Sequence, residues 1–446
     1  MTTSMQTSMQ SLDGGVLLPG DESYDQARTV WNAMVDRRPR LIVRCASVSD
    51  VVAAVRTARE LDLEIGVRCG GHNNTGHAVP DGGLMIDLTP LSAVRVDPVR
   101  RRAWVGGGAL LGALDRAAQA HGLATTAGNV SHTGVGGLTL GGGMGWLARQ
   151  HGLTCDNVES YQVVTASGEV LRASRDEHPD LYWGLRGGGG NFGVVTEFEF
   201  RLHRTGTRSL AAQYDFPVDR AFGAMRAWRD LSAAAPRQAT FTADAGRDGL
   251  VKLGFVWVGD PAGARAYLPS LAALGRPVAT RVQEMSYVDL QSREDAVQGH
   301  AYRRYSKGHY LRALPDAAIE AFLLRGDGAE TDLPSAGLQA HGGAIDDVPD
   351  ADAAFGHRGT MFEWGSGARW TDPAQDAERI ATARRAAAAM EPFASGVYVN
   401  SLADEGAEGV RRAYPPAKLA RLTAIKDAYD PDNVFHLNAN IRPTQR

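Results

Sequence analysis

The chain has 446 residues, 43% hydrophobic and 22% charged, the make-up of an ordinary soluble globular protein of two or three domains. Its formal net charge of −4 is too small to draw it to nucleic acid or an anionic membrane, and no apolar run is long enough to span a bilayer. Three cysteines (Cys45, Cys69, Cys155) with no CxxC pair argue against a disulfide framework and structural zinc, and suit reduced thiols in a cytoplasmic protein.

The first fifteen residues lack a cationic segment followed by an apolar core and read as a polar tail, not a secretory signal. "DQARTVWNAMVDRRP" (25–39) is amphipathic and predicts a helix. "LIVRCAS" reads as a strand, "SVSDVVAAVRTARELD" as a helix capped by Ser47, and "LEIGVRCGG" as a strand running into a loop. "GLMIDLTPL" is a further strand, and "RRAWVGGGALLGALDRAAQAHGL" is strand, glycine loop and helix. "VESYQVVTASGEVLRAS" carries a hairpin signal at 166–168, and the alternating "GVVTEFEFRLHR" closes the region.

From about residue 206 glycine thins out. "SLAAQYDFP", "ATFTADAG", "LVKLGFVWVG", "SAGLQAHGGAI" and "RGTMFEWGSGARW" predict strands. "DPAGARAYLPSLAALG", "DAAIEAFLLRG" and "DPAQDAERIATARRAAAAMEPF" predict helices, giving a sheet covered by helices. The tail "PAKLARLTAIKDAYDPDNVFHLNANIRP" is a helix, a turn and an extended segment whose asparagines have no local role.

Glycine, with 52 residues, gathers at 70–71, 106–108, 134–145 and 187–193, all in the first 200 residues. One cluster is equally well a tight turn. Four in one region favour a ligand with a pyrophosphate, approached closely by backbone amides. Gly188, Gly190 and Gly193 spell G-x-G-x-x-G, but the β-branched "VVTEFEF" that follows is a strand, so the Rossmann reading fails. "GGGMGWLARQHG" lacks the Lys-Ser/Thr ending of a nucleoside triphosphatase. His72 and His77, five apart beside glycines, do not share a helical face, and no metal site is expected.

"RCGGH" (68–72) resembles the R-x-G-G-H loop of the berberine bridge enzyme-like flavoproteins, in the vanillyl-alcohol-oxidase (PCMH-type) superfamily. The likeness extends through "NVSHTGVGGLTLGGGMGWLARQHGLTCDNV", "DLYWGLRGGGGNFGVVTEFEF", "GGAIDDVPDADAAFGHRGTMFEW", "YVNSLADEG" and "YDPDNVFHLNANIRP", from about residue 20 to 443. It implies an α+β fold with a PCMH-type FAD-binding domain (1–205), a substrate domain with an antiparallel sheet under helices (206–394), and a C-terminal segment (395–446) returning to the first domain. It implies FAD bonded through its 8α-methyl to His72, with Arg68, Cys69, Gly70, Gly71, Asn73, Gly76, His77, Val130, Thr133, Gly134, Gly137, Gly141, Gly142, Val195, Asn438 and Asn440 around it. Many relatives carry a second, cysteinyl tether. Val130 stands at that position, so a single link is expected.

Thr133 falls where the family gates oxygen, and its size, close to valine, is expected to admit it. The "VSHTG" version is similar to a bacterial secondary-metabolism branch that includes the enterocin flavin oxygenase. Tyr398 lies where relatives bring a tyrosine to the flavin, but Ser401 replaces an aromatic residue common in that motif. Tyr310, His341 and Glu363 are the other candidate bases. The expected activity is oxidation of a small secondary metabolite by hydride transfer to FAD, with O2 as acceptor. An oxygenase, a dehydrogenase with another acceptor, and a flavin-binding protein without chemistry are the alternatives.

Overall fold

The computed structural model describes residues 12–295, 299–326 and 333–444; the expected polar tail therefore lies largely outside the described residues. Ser47 and Asp50 start the first long helix, Val48–Glu60, with a reciprocal capping box: the Ser47 hydroxyl accepts the Asp50 N–H and the Asp50 carboxylate accepts the Ser47 N–H, both at 3.3 Å. Val51, Ala54, Val55 and Ala58 on this helix bury against Leu41, Val43, Ile65, Leu84 and Ile86. Those residues belong to a four-stranded sheet ordered Val16–Leu17, Leu41–Arg44, Leu84–Asp87, Ile65–Arg68, the last three strands parallel. The β-α-β order read from the sequence is thus present, with a third strand inserted between its two strands.

A five-stranded antiparallel sheet follows, ordered Val94–Asp97, Arg102–Gly106, Val194–Arg201, Val158–Val164, Val170–Ser174. The last two strands form the expected hairpin. The glycine run 187–193 leads directly into the strand Val194–Arg201, as its β-branched sequence required.

The largest sheet has eight antiparallel strands, ordered Ala279–Ser286, Arg208–Pro217, Leu250–Val258, Ala239–Ala245, Ser335–Ala340, Phe362–Trp370, Arg303–Leu311, Ala394–Gly396. Alternation sorts its side chains onto two faces. Phe241, Phe255, Leu338, Phe362 and Trp364 bury beneath the helices Phe222–Ala233, Asp316–Leu324 and Asp376–Met390. The other face carries a lateral row set by strand register: Gln213, Gly254, Thr242, Gln339, Glu363, Tyr310.

Two local expectations need correction. Only residues 25–27 of the predicted helix 25–39 are helical, within the short helix Tyr24–Ala27. The apolar residues there bury one by one: Val30 packs beside Ala78 and Val79, and Trp31 stacks on His72. The predicted helix 260–275 is two short ones, Pro261–Arg265 and Leu268–Ala272, since Pro269 cannot continue the first. Ala279–Ser286 and Arg303–Leu311 are strands although their sequences are mostly polar. The first is an edge strand with exposed and half-exposed side chains, and the second lies within the sheet, burying Tyr305, His309 and Tyr310 and half-burying Arg303, Arg304, Ser306 and Lys307. Among the described residues, no helix is long and apolar enough to cross a membrane.

Candidate active site

Two loops meet backbone to backbone at the start of the site. A Cβ on Gly70 would lie 2.3 Å from the Gly134 nitrogen, and one on Gly134 would lie 2.3 Å from the Gly70 nitrogen. These glycines were expected to admit a ligand; they are also required to admit each other. Gly71, at φ +68, then turns the chain so that His72 faces the cleft. The Asn73 carboxamide oxygen accepts the N–H groups of Thr75 and His77, at 3.1 and 3.3 Å, and holds the rest of the loop.

The cleft, of about 530 Å³, is lined by ten glycines, including Gly70, Gly71, Gly134, Gly137, Gly189 and Gly190. Cys69, His72, Asn73, His77, Thr133, Val195, Asn438 and Asn440 also line it. Among the described residues its wall contains no aspartate or glutamate and one arginine, Arg442. The Oδ1 atoms of Asn438 and Asn440 are buried without a partner. A long cavity with no acidic side chains, close-set backbone and unpaired amide oxygens fits a flavin dinucleotide: anionic at its pyrophosphate, apolar along its ring, rich in donors at its ribityl chain.

Five sequence-predicted cofactor residues lie outside this wall. The Arg68 guanidinium donates to the Ala27 carbonyl at 2.6 Å. Gly76 abuts Val35, Gly141 abuts Asn400, and Gly142 abuts Phe355, so their lack of side chains serves packing. The Val130 carbonyl accepts the Thr133 N–H at 3.1 Å, within the turn that presents Thr133.

His72 is neutral. Burial, and secondarily the neighbouring His132, lower its pKa to about 3. Its Nε2 lies 2.7 Å from His132 Nδ1, its Nδ1 lies 3.4 Å from the Thr133 hydroxyl, and Trp31 stacks on its ring at 4.7 Å. The Cys69 thiol, buried, is raised to about 11 and stays protonated.

A second cavity, about 610 Å³, lies over the polar face of the eight-stranded sheet. It shares Leu138 and Tyr398 with the first. Gln213, Thr242, Gln339 and Glu363 of the lateral row line it, with Asn129, Trp146, Asp244 and Lys252. Asn129 Nδ2 donates to Gln339 Oε1 at 2.8 Å, leaving Asn129 Oδ1 and Gln339 Nε2 buried and unpartnered. Neither amide was singled out from sequence; the alternation of "SAGLQA" was the available signal for Gln339.

Of the four candidate bases, Tyr398 and Glu363 line this cavity. Tyr310 and His341 do not. Tyr310 is fully buried behind Tyr398, with ring centroids 6.3 Å apart, and His341 sits 3.6 Å behind the Glu363 carboxylate. The Tyr398 oxygen accepts the Gly143 N–H at 3.0 Å and Asn400 Nδ2 at 2.9 Å. Burial, and then the Glu363 carboxylate, push its pKa up, so the phenol is protonated at neutral pH.

Residues 39–174 match the family profile described as FAD binding domain, and residues 397–442 the one described as Berberine and berberine like. The (R)-6-hydroxynicotine oxidase of Paenarthrobacter nicotinovorans is 32% identical over 99% of both chains. An FAD-linked oxidoreductase of Dictyostelium discoideum is 30% identical over 98% of this chain and 96% of its own. The crystal structure of 6-hydroxy-D-nicotine oxidase from Arthrobacter nicotinovorans superposes with a TM-score of 0.89 at 30% identity, covering all of both chains. Glycine-lined cleft, adjoining polar cavity and full-length similarity agree: the chain belongs to the berberine bridge enzyme-like FAD-linked oxidoreductases, an enzyme family of two-domain α+β fold, and its cofactor is FAD.

Proposed function

We infer that the protein is an oxidase of a small, polar secondary metabolite, with FAD tethered through His72 alone and O2 as electron acceptor. The observation that carries this reading is the meeting of the two cavities at Leu138 and Tyr398, with Glu363 beside them. The oxidase relatives support the class of reaction. Bound FAD supplies the two-electron acceptor for the substrate C–H bond. Glu363 takes the proton from the adjacent O–H or N–H. Asn129 Oδ1 and Gln339 Nε2, one acceptor and one donor, orient the substrate. Tyr398, fixed by Gly143 and Asn400, closes the floor between the cavities. Asn438 and Asn440 hold the ring or ribityl chain, and Thr133 leaves room for oxygen.

Acid precipitation tests the tether. The pellet should stay yellow, and a peptide containing His72 should carry the mass of FAD; free flavin in the supernatant refutes the link. His72→Ala should fold and hold FAD only non-covalently. Turnover under labelled dioxygen should place the label in peroxide. Label in the product would make the enzyme an oxygenase.

A further inference from the structure

His72 is the first of three side chains in a line. Its Nε2 is engaged by His132 Nδ1 at 2.7 Å, and His132 Nε2, with no hydrogen-bond partner, faces Asp295 Oδ1 at 3.9 Å. Asp295 is itself held, accepting the Ser131 N–H at 2.9 Å and the Ser131 hydroxyl at 2.6 Å. Trp31 lies nearly parallel to His72, 15° between planes, and the Arg304 guanidinium sits 3.9 Å from the Trp31 ring centre. The imidazole is therefore fixed in orientation.

A simple packing role does not account for this line. Two imidazoles sharing a buried hydrogen bond lose solvation and repel each other if both protonate, and an apolar neighbour would pack His72 as well. What the line does provide is a way to select a tautomer: the Asp295 carboxylate favours the His132 proton on Nε2, which leaves His132 Nδ1 to accept from His72 Nε2. With Nε2–H donated to His132, the lone pair of His72 is on Nδ1, beside the Thr133 hydroxyl in the cleft wall. A nucleophile, a base in hydrogen-bond reach and a carboxylate behind the base form the usual arrangement for activating a weak nucleophile.

We propose that His132, backed by Asp295, is the proton acceptor that activates His72 for covalent attachment of FAD; this rests on the single-tether reading above. The step forms one bond, from His72 Nδ1 to the 8α carbon, and breaks two bonds to hydrogen: a C–H of the 8α-methyl and the Nε2–H of His72. The Nε2 proton passes to His132 Nδ1, where the Asp295 carboxylate offsets the charge. The electron pair left by the C–H bond goes to dioxygen, which with both protons leaves as hydrogen peroxide. Val130 supplies no second nucleophile, so the whole attachment depends on this relay.

The test uses the full chain made in a riboflavin-auxotrophic host, reconstituted with FAD in air, with acid-stable flavin followed over time. His132→Gln should bind FAD in full stoichiometry but attach it about 100-fold more slowly. Asp295→Asn, one step removed from the base, should slow attachment less, about 10-fold, the usual worth of a partner behind a functional histidine. His132→Ala should regain attachment when imidazole is added, which a merely structural defect would not do. Attachment at the wild-type rate in His132→Gln, or no imidazole rescue in an FAD-replete His132→Ala, overturns the proposal. Wild-type protein that never acquires acid-stable flavin overturns the tether itself, and the relay with it.

Discussion

The Glu363 carboxylate, 20% exposed, lies between His341 at 3.6 Å and the Ser401 hydroxyl at 3.5 Å, with its open side toward the substrate cavity. Tyr398 is anchored differently: its oxygen already accepts two hydrogen bonds, and its proton is held by burial. A carboxylate can take a proton, whereas a buried phenol whose ionisation is suppressed cannot serve as the base. Glu363→Gln keeps the shape and removes the acceptor. It should slow flavin reduction about 100-fold or more, the usual worth of a general base, with FAD content unchanged. Tyr398→Phe should slow the same step only about 10-fold, the worth of about one net hydrogen bond, through lost positioning of Gly143 and Asn400. Stopped-flow reduction of the two variants compares them, and the opposite ranking would transfer the base to Tyr398. Ser401, the departure that drew attention to this motif, stands within reach of Glu363, which is how a serine serves where relatives carry an aromatic residue.

The C-terminal return is held by a knot that the sequence pattern hid. On the helix Pro416–Tyr429, Lys426 is fully buried and donates to Asp430 at 2.6 Å, to the Asn191 carbonyl at 2.9 Å and to the Phe435 carbonyl at 3.0 Å. Asp430 accepts the N–H groups of Val434 and Phe435, at 2.8 and 2.9 Å. Asn191 completes the tie: its Nδ2 donates to the carbonyls of Gly188 and Ala439, and its Oδ1 accepts the Ile441 N–H. One buried ion pair thus joins the glycine run before strand Val194–Arg201 to the segment carrying Asn438 and Asn440. Lys426→Met leaves Asp430 charged and buried without its partner, a loss of about 3–5 kcal/mol. Melting temperature and FAD occupancy should fall together. Pairing it with Asp430→Leu should recover much of the stability, because an apolar pair removes the uncompensated charge. Full flavin content in the single variant would show that the knot does not support the cleft. A chain ending at Asn433 loses both asparagines and the Phe435 carbonyl, and should bind FAD poorly for the same reason.

Across the molecule, two cavities are built by different means. The flavin cleft is made of loops between small sheets, where glycines bring backbone against backbone. The second cavity has one sheet face as its floor, where register sets Gln213, Thr242, Gln339 and Glu363 in a row and glycines leave room above it. A Cβ added at Gly365 would meet no atom within 4 Å, and Gly365 lines the substrate side only. Gly365→Leu should therefore fill that cavity while sparing the cleft: flavin content and melting temperature near wild type, with KM raised or turnover abolished. Flavin loss in this variant would mean that the cavities are mechanically coupled.

The glycine clusters, the strand after G-x-G-x-x-G, the alternating strands of the large sheet and the motif around His72 could all be read along the chain, because each is a local pattern: a period, a breaker or a short motif. The FAD chemistry followed from the resemblance those motifs carry. The row across the large sheet could not be read this way. It joins residues from strands far apart in sequence, and which amide faces which carboxylate depends on register, a property of pairing between strands. The same holds for Lys426 and Asp430, which look like an exposed i, i+4 pair until folding wraps the C-terminal segment over them. Tyr310 and His341 carry the right functional groups, yet burial withdraws them from the cavity wall. Side-chain type is written in the chain, whereas exposure and proximity come only from long-range packing.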